Sequence, residues 1–181
     1  IIKTSTITKD NLENNLSFKV TALDGEGKSA TVSKNHNVEH SGFGVLSGAE
    51  KNLSGTDKYY TGDVKELGVN KNDPTKSEKI IIEFNNEVKS MDVAFAWRAT
   101  QEKARVDFYD GDTHVGYAIV SGGGNDTEAT VIYYKPNGDV LKTVKAQGGT
   151  DKVDLSYKFE PGDGTVFNKV EFTAVDNGKG T

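Results

Sequence analysis

Two short apolar runs joined by a tight-turn signal lie between Ala104 and Glu128. The turn is Asp110-Gly111-Asp112, and β-branched or aromatic residues flank it on both sides: Val106, Phe108, Tyr109, Val115, Tyr117, Ile119 and Val120. An Asp-Gly pair between two such runs is the strongest short-range signal for a β-hairpin. This stretch therefore predicts two antiparallel strands connected at Gly111, and a fold built from such hairpins.

Other segments carry the alternating or continuous apolar pattern of strands. Ser77–Phe84 contains three consecutive isoleucines, which predicts a strand at the centre of a sheet or one buried on both faces. Pro136-Asn137-Gly138-Asp139 predicts a second hairpin turn, and Phe167–Ala174 predicts a late strand. We count roughly ten to twelve short strands at the spacing of a β-sandwich, without strand–helix alternation.

Length and composition agree with one all-β domain. The chain has 181 residues with 20 glycines and three prolines, which suits one core and many polar turns. We expect a single-domain antiparallel β-sandwich over residues 1–181, jelly-roll-like, with long loops and at most short helices, such as one at Asp63–Leu67. Since the sequence starts at Ile1 without an initiator Met or a signal peptide, we expect a module of a longer protein.

Charge and residue usage exclude several classes of partner. The formal net charge of −5 gives no electrostatic footprint for nucleic acid. No apolar run approaches the ~20 residues of a membrane-spanning helix, so we expect no membrane insertion. Cysteine is absent, so no disulfide reinforces the domain, and bound calcium is one alternative source of stability.

A glycine-led acidic loop, Gly122–Asp126, follows the predicted hairpin. Its glycines allow positive φ angles, so that backbone carbonyls can turn toward one point, and its Asn and Asp add the hard oxygens that Ca²⁺ prefers. Other turns supply further oxygens, and the candidate calcium ligands are Asp110, Asp112, Asn125, Asp126, Asp163 and Asp176. Their spacing is not that of an EF-hand. We expect these turns to converge at one end of the sandwich around an ion, although each of them can equally serve only as a turn.

Aromatic side chains offer a second kind of contact, because exposed rings stack on sugars and peptides. Tyr59 and Tyr60 lie in the irregular section 51–74, where long loops are often functional. We expect Trp97, at the end of an alternating apolar stretch, to pack in the core. The other tyrosines in or beside predicted strands are Tyr109, Tyr117, Tyr133 and Tyr134.

Catalysis has little support in the sequence, and we expect no enzyme. There is no cysteine nucleophile and no Gly-x-Ser-x-Gly motif. The three histidines are scattered, so no zinc site is expected. Carboxylates on predicted strands, namely Glu83, Glu87 and Asp107, leave glycoside hydrolysis open, although such residues usually form the solvated face of a sheet.

Several phrases, taken in chain order, resemble one protein family. They are GFGV at Gly42–Val45, KELG at Lys65–Gly68, SEKIIIEFNNEVKSMDVAFAW at Ser77–Trp97, VDFYDGDTHVG at Val106–Gly116, the glycine-rich acidic loop, and FNKVEFTAVDNG at Phe167–Gly178. This order resembles a domain of the large bacterial RTX adhesins, in particular their calcium-dependent peptide-binding module. The segments 1–37, 51–60 and 133–144 depart from that family's pattern, which leaves the choice of ligand open.

The resemblance implies an extracellular, monomeric β-sandwich that mediates adhesion to a host or partner cell surface, with biofilm formation as its context. It implies that a loop-held calcium ion binds the C-terminal carboxylate of a peptide. Carried over to this sequence, the ligand-binding positions are Gly122, Gly123, Gly124, Asn125 and Asp126, to which we add Tyr59 and Tyr60. Glu66 and Glu78 match acidic positions of the family and join the metal candidates, with a structural role also open.

Two further interpretations belong to other functional classes. A calcium-dependent, lectin-like module would bind vicinal sugar hydroxyls, instead of a peptide carboxylate, at the open positions of the ion. A structural extender domain of an adhesin would use calcium only to stiffen the fold. Binding of glycans, of peptides or of neither discriminates among the three.

Overall fold

The structure, a computed structural model, describes residues 17–34, 43–46, 59–60, 67–95, 101–123, 128–147, 157–162 and 164–176. All regular structure in these ranges is β-strand, so they contain no helix that could cross a membrane. The strands are β1 Phe18–Leu23, β2 Ser29–Lys34, β3 Phe43–Leu46, β4 Tyr59–Tyr60, β5 Val69–Asn70, β6 Lys79–Val88, β7 Met91–Val93, β8 Lys103–Asp110, β9 Thr113–Gly122, β10 Glu128–Tyr134, β11 Val140–Gln147, β12 Tyr157–Phe159 and β13 Phe167–Val175. The predicted all-β fold is confirmed; the helix expected at 63–67 lies outside the described residues, apart from Leu67.

One antiparallel sheet of nine strands dominates the domain, in the order β11-β10-β9-β8-β13-β6-β1-β2-β3. The last strand, β13, lies between β8 and β6, and pairs with both of them. Two further sheets, β12-β7 and β4-β5, have two strands each. The result is a sandwich-like, all-β domain in which the centre of the main sheet joins segments that are distant in sequence.

Both predicted hairpins form at the expected turns. Asp110 pairs with Thr113 across the first turn, where Gly111 has a φ of 60°. In the second turn the Gly138 amide donates a hydrogen bond to the Lys135 carbonyl at 2.9 Å. Each glycine takes the left-handed conformation that disfavours side chains with a Cβ.

Alternate residues of the central strands point into one core, which the small β12-β7 sheet helps to cover. Phe108 on β8 packs against Phe159 on β12 and Phe167 on β13, with ring centroids 6.5 and 5.0 Å apart. All three rings are fully buried. Burial of side chains of this size stabilises the fold by roughly 1.5–3 kcal/mol each.

Strand β6 resolves the two alternatives for the triple-isoleucine segment. Ile80 and Ile82 are buried in the core, whereas Ile81, between them, is only half-buried on the other face. Because β6 has β13 on one side and β1 on the other, it is a central strand and is not equally buried on both faces. The expected core residue Trp97 lies outside the described residues.

Candidate functional site

The antiparallel register places the predicted calcium ligands that the structure describes at two different ends of the main sheet. Asp110 and Asp112 lie at the β8–β9 turn, where the Gly111 amide donates a 2.8 Å hydrogen bond to Asn168 Oδ1. Asp176 follows Val175, which pairs with Lys103 at the opposite end of β8. Eight residues of extended strand separate these ends by on the order of 20 Å. The expectation that all the acidic turns converge on one ion is therefore wrong for Asp110 and Asp112.

The glycine-rich loop begins at the same end of the sheet as Asp176. Gly122 and Gly123 close β9 with φ angles of 68° and 91°, so the expected positive φ angles are present at both. A Cβ on Gly122 would lie 2.9 Å from the Glu128 carbonyl oxygen, which also favours glycine there. The remaining loop positions, Gly124, Asn125 and Asp126, lie outside the described residues, as do Asp163 and Glu66.

Glu78 is completely buried next to a backbone turn at this same end. Its Oε1 accepts a hydrogen bond from the Gly68 amide at 3.0 Å, and its own amide donates to the Gly68 carbonyl at 3.0 Å. This arrangement closes the loop from Gly68 to Glu78 and gives the carboxylate a structural role.

Tyr59 and Tyr60 form β4, but their side chains lie outside the described residues.

No group of three or more His, Asp or Glu side chains that could hold a metal ion occurs within the described ranges. Calcium also accepts backbone carbonyl, amide and water oxygens. Among the described residues at this end of the sheet, the Asp176 carboxylate and the backbone around Gly122 and Gly123 are donors of this kind.

A different group of side chains comes together on the outer face of the sheet, opposite the core. We call it the outer-face cluster: Arg105, Asp107, Tyr109, His114, Tyr117, Tyr134, Lys169 and Glu171. Cross-strand pairing assembles it, since Asp107 lies opposite Tyr117 on one side and opposite Glu171 on the other. Tyr117 in turn lies opposite Tyr134. Four neighbouring strands, β10, β9, β8 and β13, thus contribute to one surface.

Asp107 anchors the cluster. It is only 7% exposed, and its two carboxylate oxygens accept hydrogen bonds from Arg105 Nε and Nη2, both at 2.9 Å. His114 Nε2 also lies 2.9 Å from Asp107 Oδ1. Such bidentate pairs are strong and geometrically specific. The hydrogen bonds to Asp107 raise the pKa of Arg105 above its usual value.

Four rings form a continuous row across the cluster. Tyr134 stacks on Tyr117 at 4.7 Å between ring centroids, Tyr117 lies parallel to His114 at 6.1 Å, and His114 packs on Tyr109 at 5.0 Å. Two cations lie over these rings. Arg105 Cζ is 3.9 Å from the Tyr117 ring centre, and Lys169 Nζ is 4.6 Å from the Tyr109 ring centre. Each such contact stabilises by roughly 0.5–1 kcal/mol at a partly exposed site.

Like charges at the centre of the cluster are balanced by their neighbours. Asp107 and Glu171 lie directly opposite each other, which is unfavourable for two carboxylates. Arg105 neutralises the first, and Lys79 Nζ lies 3.7 Å from the second. Burial, and then the Glu171 carboxylate that accepts a hydrogen bond from the phenol, raises the pKa of Tyr109 to about 12.

A small cavity of about 180 Å³ adjoins the cluster beside the start of β9. Tyr117 and Tyr134 line it together with core residues such as Phe108 and Tyr133. It lies next to Gly116. A Cβ at this position would lie 2.8 Å from the Tyr134 carbonyl oxygen, so the absence of a side chain lets β9 approach β10 closely. Two rings of the row, Tyr117 and Tyr134, therefore border this cavity.

Several members of this cluster are recognisable in the sequence one by one, but not as a group. Tyr109, Tyr117 and Tyr134 are tyrosines of predicted strands, and Asp107 is a carboxylate on a predicted strand. Tyr133, also a strand tyrosine, points to the core side instead, where its hydroxyl donates to the Lys158 carbonyl at 3.1 Å. Successive side chains of a strand point to opposite faces, and this alternation alone predicts that Arg105, Asp107 and Tyr109 share one face. Lys169 and Glu171 join the cluster through the pairing of β13 with β8, for which the sequence carries no signal.

Comparison of the chain with protein-family models, with curated proteins and with solved structures found no match.

Proposed function

We propose that this domain is a non-enzymatic adhesion module, displayed outside the cell as a monomer, which binds a carbohydrate through the outer-face cluster. The observation that carries this proposal is the row of four rings, fixed in place by the bidentate pair between Asp107 and Arg105. The membership in an RTX-type adhesin that the sequence suggests is part of the same proposal.

The position of the cluster favours binding. Its side chains belong to four paired strands, and sites on such rigid elements hold their geometry better than sites on loops. Side chains stand roughly perpendicular to a sheet, so the stacked rings of Tyr117 and Tyr134 direct their edges outward. The surface thereby combines apolar ring area with hydrogen-bond donors, which is the chemistry that sugar rings and sugar hydroxyls require.

A glycan array tests this proposal, with thermal unfolding as the check on folding. We expect the wild-type domain to bind a subset of glycans, and Tyr117→Ala and Tyr134→Ala each to weaken binding about tenfold, a loss of ~1.4 kcal/mol. Val144→Ala is the control, because Val144 is an exposed apolar side chain, 41% exposed, on the opposite face of the sheet. The proposal would be overturned if the folded domain binds no glycan, or if its glycan affinity is unchanged in both tyrosine variants.

A second candidate function is the calcium-dependent capture of a peptide C-terminus at the end of β9. The observation that favours it is the pair of left-handed glycines, Gly122 and Gly123, at the same sheet end as Asp176. In this mechanism calcium held by Asn125 and Asp126 keeps open positions, which the peptide carboxylate fills in place of water. A structural extender would bind the same calcium without any peptide.

Calcium titration with a matched pair of variants tests this candidate. We expect calcium at 100 times its Kd to stabilise the wild type by ~2.7 kcal/mol over the same protein in EDTA. Asp126→Asn should lose this effect, whereas Asp110→Asn, at the opposite sheet end, should keep it. A free C-terminal peptide should bind only with calcium, and its amidated form should not. Equal stability in calcium and in EDTA would exclude the mechanism, and stabilisation without peptide binding would favour the extender.

A further inference from the structure

We infer that the saccharide bound by the outer-face cluster is anionic, a uronic acid or a sulfated sugar, and that Lys169 receives its charged group. This inference rests on the proposed carbohydrate binding and adds to it the class of sugar and the residue that selects it.

The exposed fractions of the charged side chains in and beside the cluster support an anionic ligand. The side chains of Asp107 and Glu171 are only 11% and 14% exposed, whereas those of Arg105 and Lys79 are 36% and 40% exposed. The carboxylates therefore lie beneath, and the cations reach the surface that a ligand meets. This outward placement of the cations contrasts with the formal net charge of −5 for the chain.

Lys169 is the cation with the most freedom to bind an anion. Its ammonium lies 4.6 Å above the Tyr109 ring, and it forms no ion pair with any carboxylate in the described part of the chain. Glu83, its direct cross-strand neighbour, makes no ion pair with it either. A ligand carboxylate or sulfate at this point gains a charge-assisted hydrogen bond and displaces no partner.

Arg105 provides a second donor toward the same surface. It uses Nε and Nη2 for Asp107, and a guanidinium has five N–H donors, so the hydrogens on Nη1 are not used in this pair. Arg105 and Lys169 lie over different rings of the row, Tyr117 and Tyr109. A sugar chain along the row therefore meets two cations, one beside Tyr117 and one beside Tyr109.

The net charge of the chain argues against a densely charged polymer as the ligand. An acidic protein repels nucleic acid over distances of about a Debye length, roughly 8–10 Å at physiological salt. A sugar with one carboxylate or sulfate per ring has fewer charges and also has ring hydroxyls for the tyrosines. Acidic saccharides thus fit both the local and the overall charge.

Calorimetry with two forms of one ligand tests the inference. An oligogalacturonate and its methyl ester have the same rings and differ in charge, and a κ-carrageenan oligosaccharide supplies sulfate without any carboxylate. We expect the wild type to bind the acid, the sulfated sugar or both at least tenfold more tightly than the ester, with the preference shrinking as salt rises. The two acidic ligands distinguish a carboxylate source from a sulfate source.

Variants at Lys169 decide whether this residue makes the selection. Lys169→Gln should weaken binding of the preferred acidic sugar about tenfold and leave the ester unchanged, and Lys169→Arg should restore binding. Lys158→Gln is the control, because this lysine is 63% exposed on β12 and lies outside the cluster. Equal affinity for acid and ester, unchanged in Lys169→Gln, would overturn the inference while carbohydrate binding stands. Failure of the wild type to bind any saccharide would instead overturn the proposed function.

Discussion

The two faces of the central strands have opposite chemistry although they are built from alternate residues of the same segments. On β8, Val106 and Phe108 are completely buried in the core, whereas Asp107 and Tyr109, their neighbours in sequence, belong to the outer-face cluster. The core face consists of apolar side chains, while the outer face combines rings, cations and carboxylates. A shift of one residue in register would exchange these roles.

The difference shows how the two faces depend on geometry. Burial of apolar area is not directional, so the core tolerates repacking as long as volume and pattern are kept. The outer face depends on hydrogen bonds with defined angles, such as those between Arg105 and Asp107. Substitutions on the core face should therefore act on stability, and substitutions on the outer face mainly on binding.

Truncation of Phe108 should produce the largest effect and tests this division directly. Phe108→Ala leaves a cavity between Phe159 and Phe167, and we expect a loss of ~3–5 kcal/mol in the free energy of unfolding. Tyr109→Ala, one residue away on the outer face, should cost only about 1 kcal/mol. Urea denaturation measures both variants, and similar losses for the two would break the comparison between the faces.

A side chain at Gly116 should produce the next largest effect. The Cβ of Gly116→Ala would lie 2.8 Å from the Tyr134 carbonyl oxygen, so β9 and β10 must move apart, at a cost of ~1–3 kcal/mol. Gly111→Ala is the control, because a Cβ there meets no atom within 4 Å and only the positive φ is unfavourable, costing about 1 kcal/mol. If both variants unfold at the same urea concentration, close packing at Gly116 does not constrain the sheet.

The hairpins were predictable because their signals are local. Asp110-Gly111 and Asn137-Gly138 specify turns within a few residues, and the alternation around them specifies which residues face the core. The triple isoleucine at 80–82 gave a central strand for the same reason. These features of the fold depend on neighbours in sequence.

The convergence of side chains was not predictable, because it depends on strand order. Asp110 and Asp176 both follow or end a strand, yet the antiparallel pairing of β13 with β8 places them at opposite ends of the sheet. The same pairing brings Glu171 to Asp107, 64 positions earlier in the chain. Composition and turn motifs contain no information on such long-range pairing, so they favour a grouping of the acidic turns and do not reveal the outer-face cluster.

Titration of Tyr109 should produce the smallest effect on stability. It tests how well the outer face, in contrast to the core face, is packed against water. Its pKa of about 12 in the folded protein exceeds the usual value of 10.0. Below pH 10 both states hold the proton and the free energy of unfolding is unaffected. Between pH 10 and 12 the unfolded chain loses the proton while the folded chain keeps it, so stability falls as pH rises. Because Tyr109 is partly exposed, solvent screening reduces this loss to about 1 kcal/mol.

Tyr109→Phe isolates this contribution, since it removes the titrating hydroxyl and keeps the ring next to His114 and Lys169. Tyr133, whose pKa burial also raises, remains in both proteins and cancels in the difference. We expect the urea-derived stability of the wild type to fall more steeply than that of the variant from pH 10 to 12. Parallel curves would mean that Glu171 and burial do not hold the Tyr109 phenol protonated. The outer face would then be more open to water than the packing around Asp107 implies, and its rings and cations would be correspondingly less fixed for a ligand.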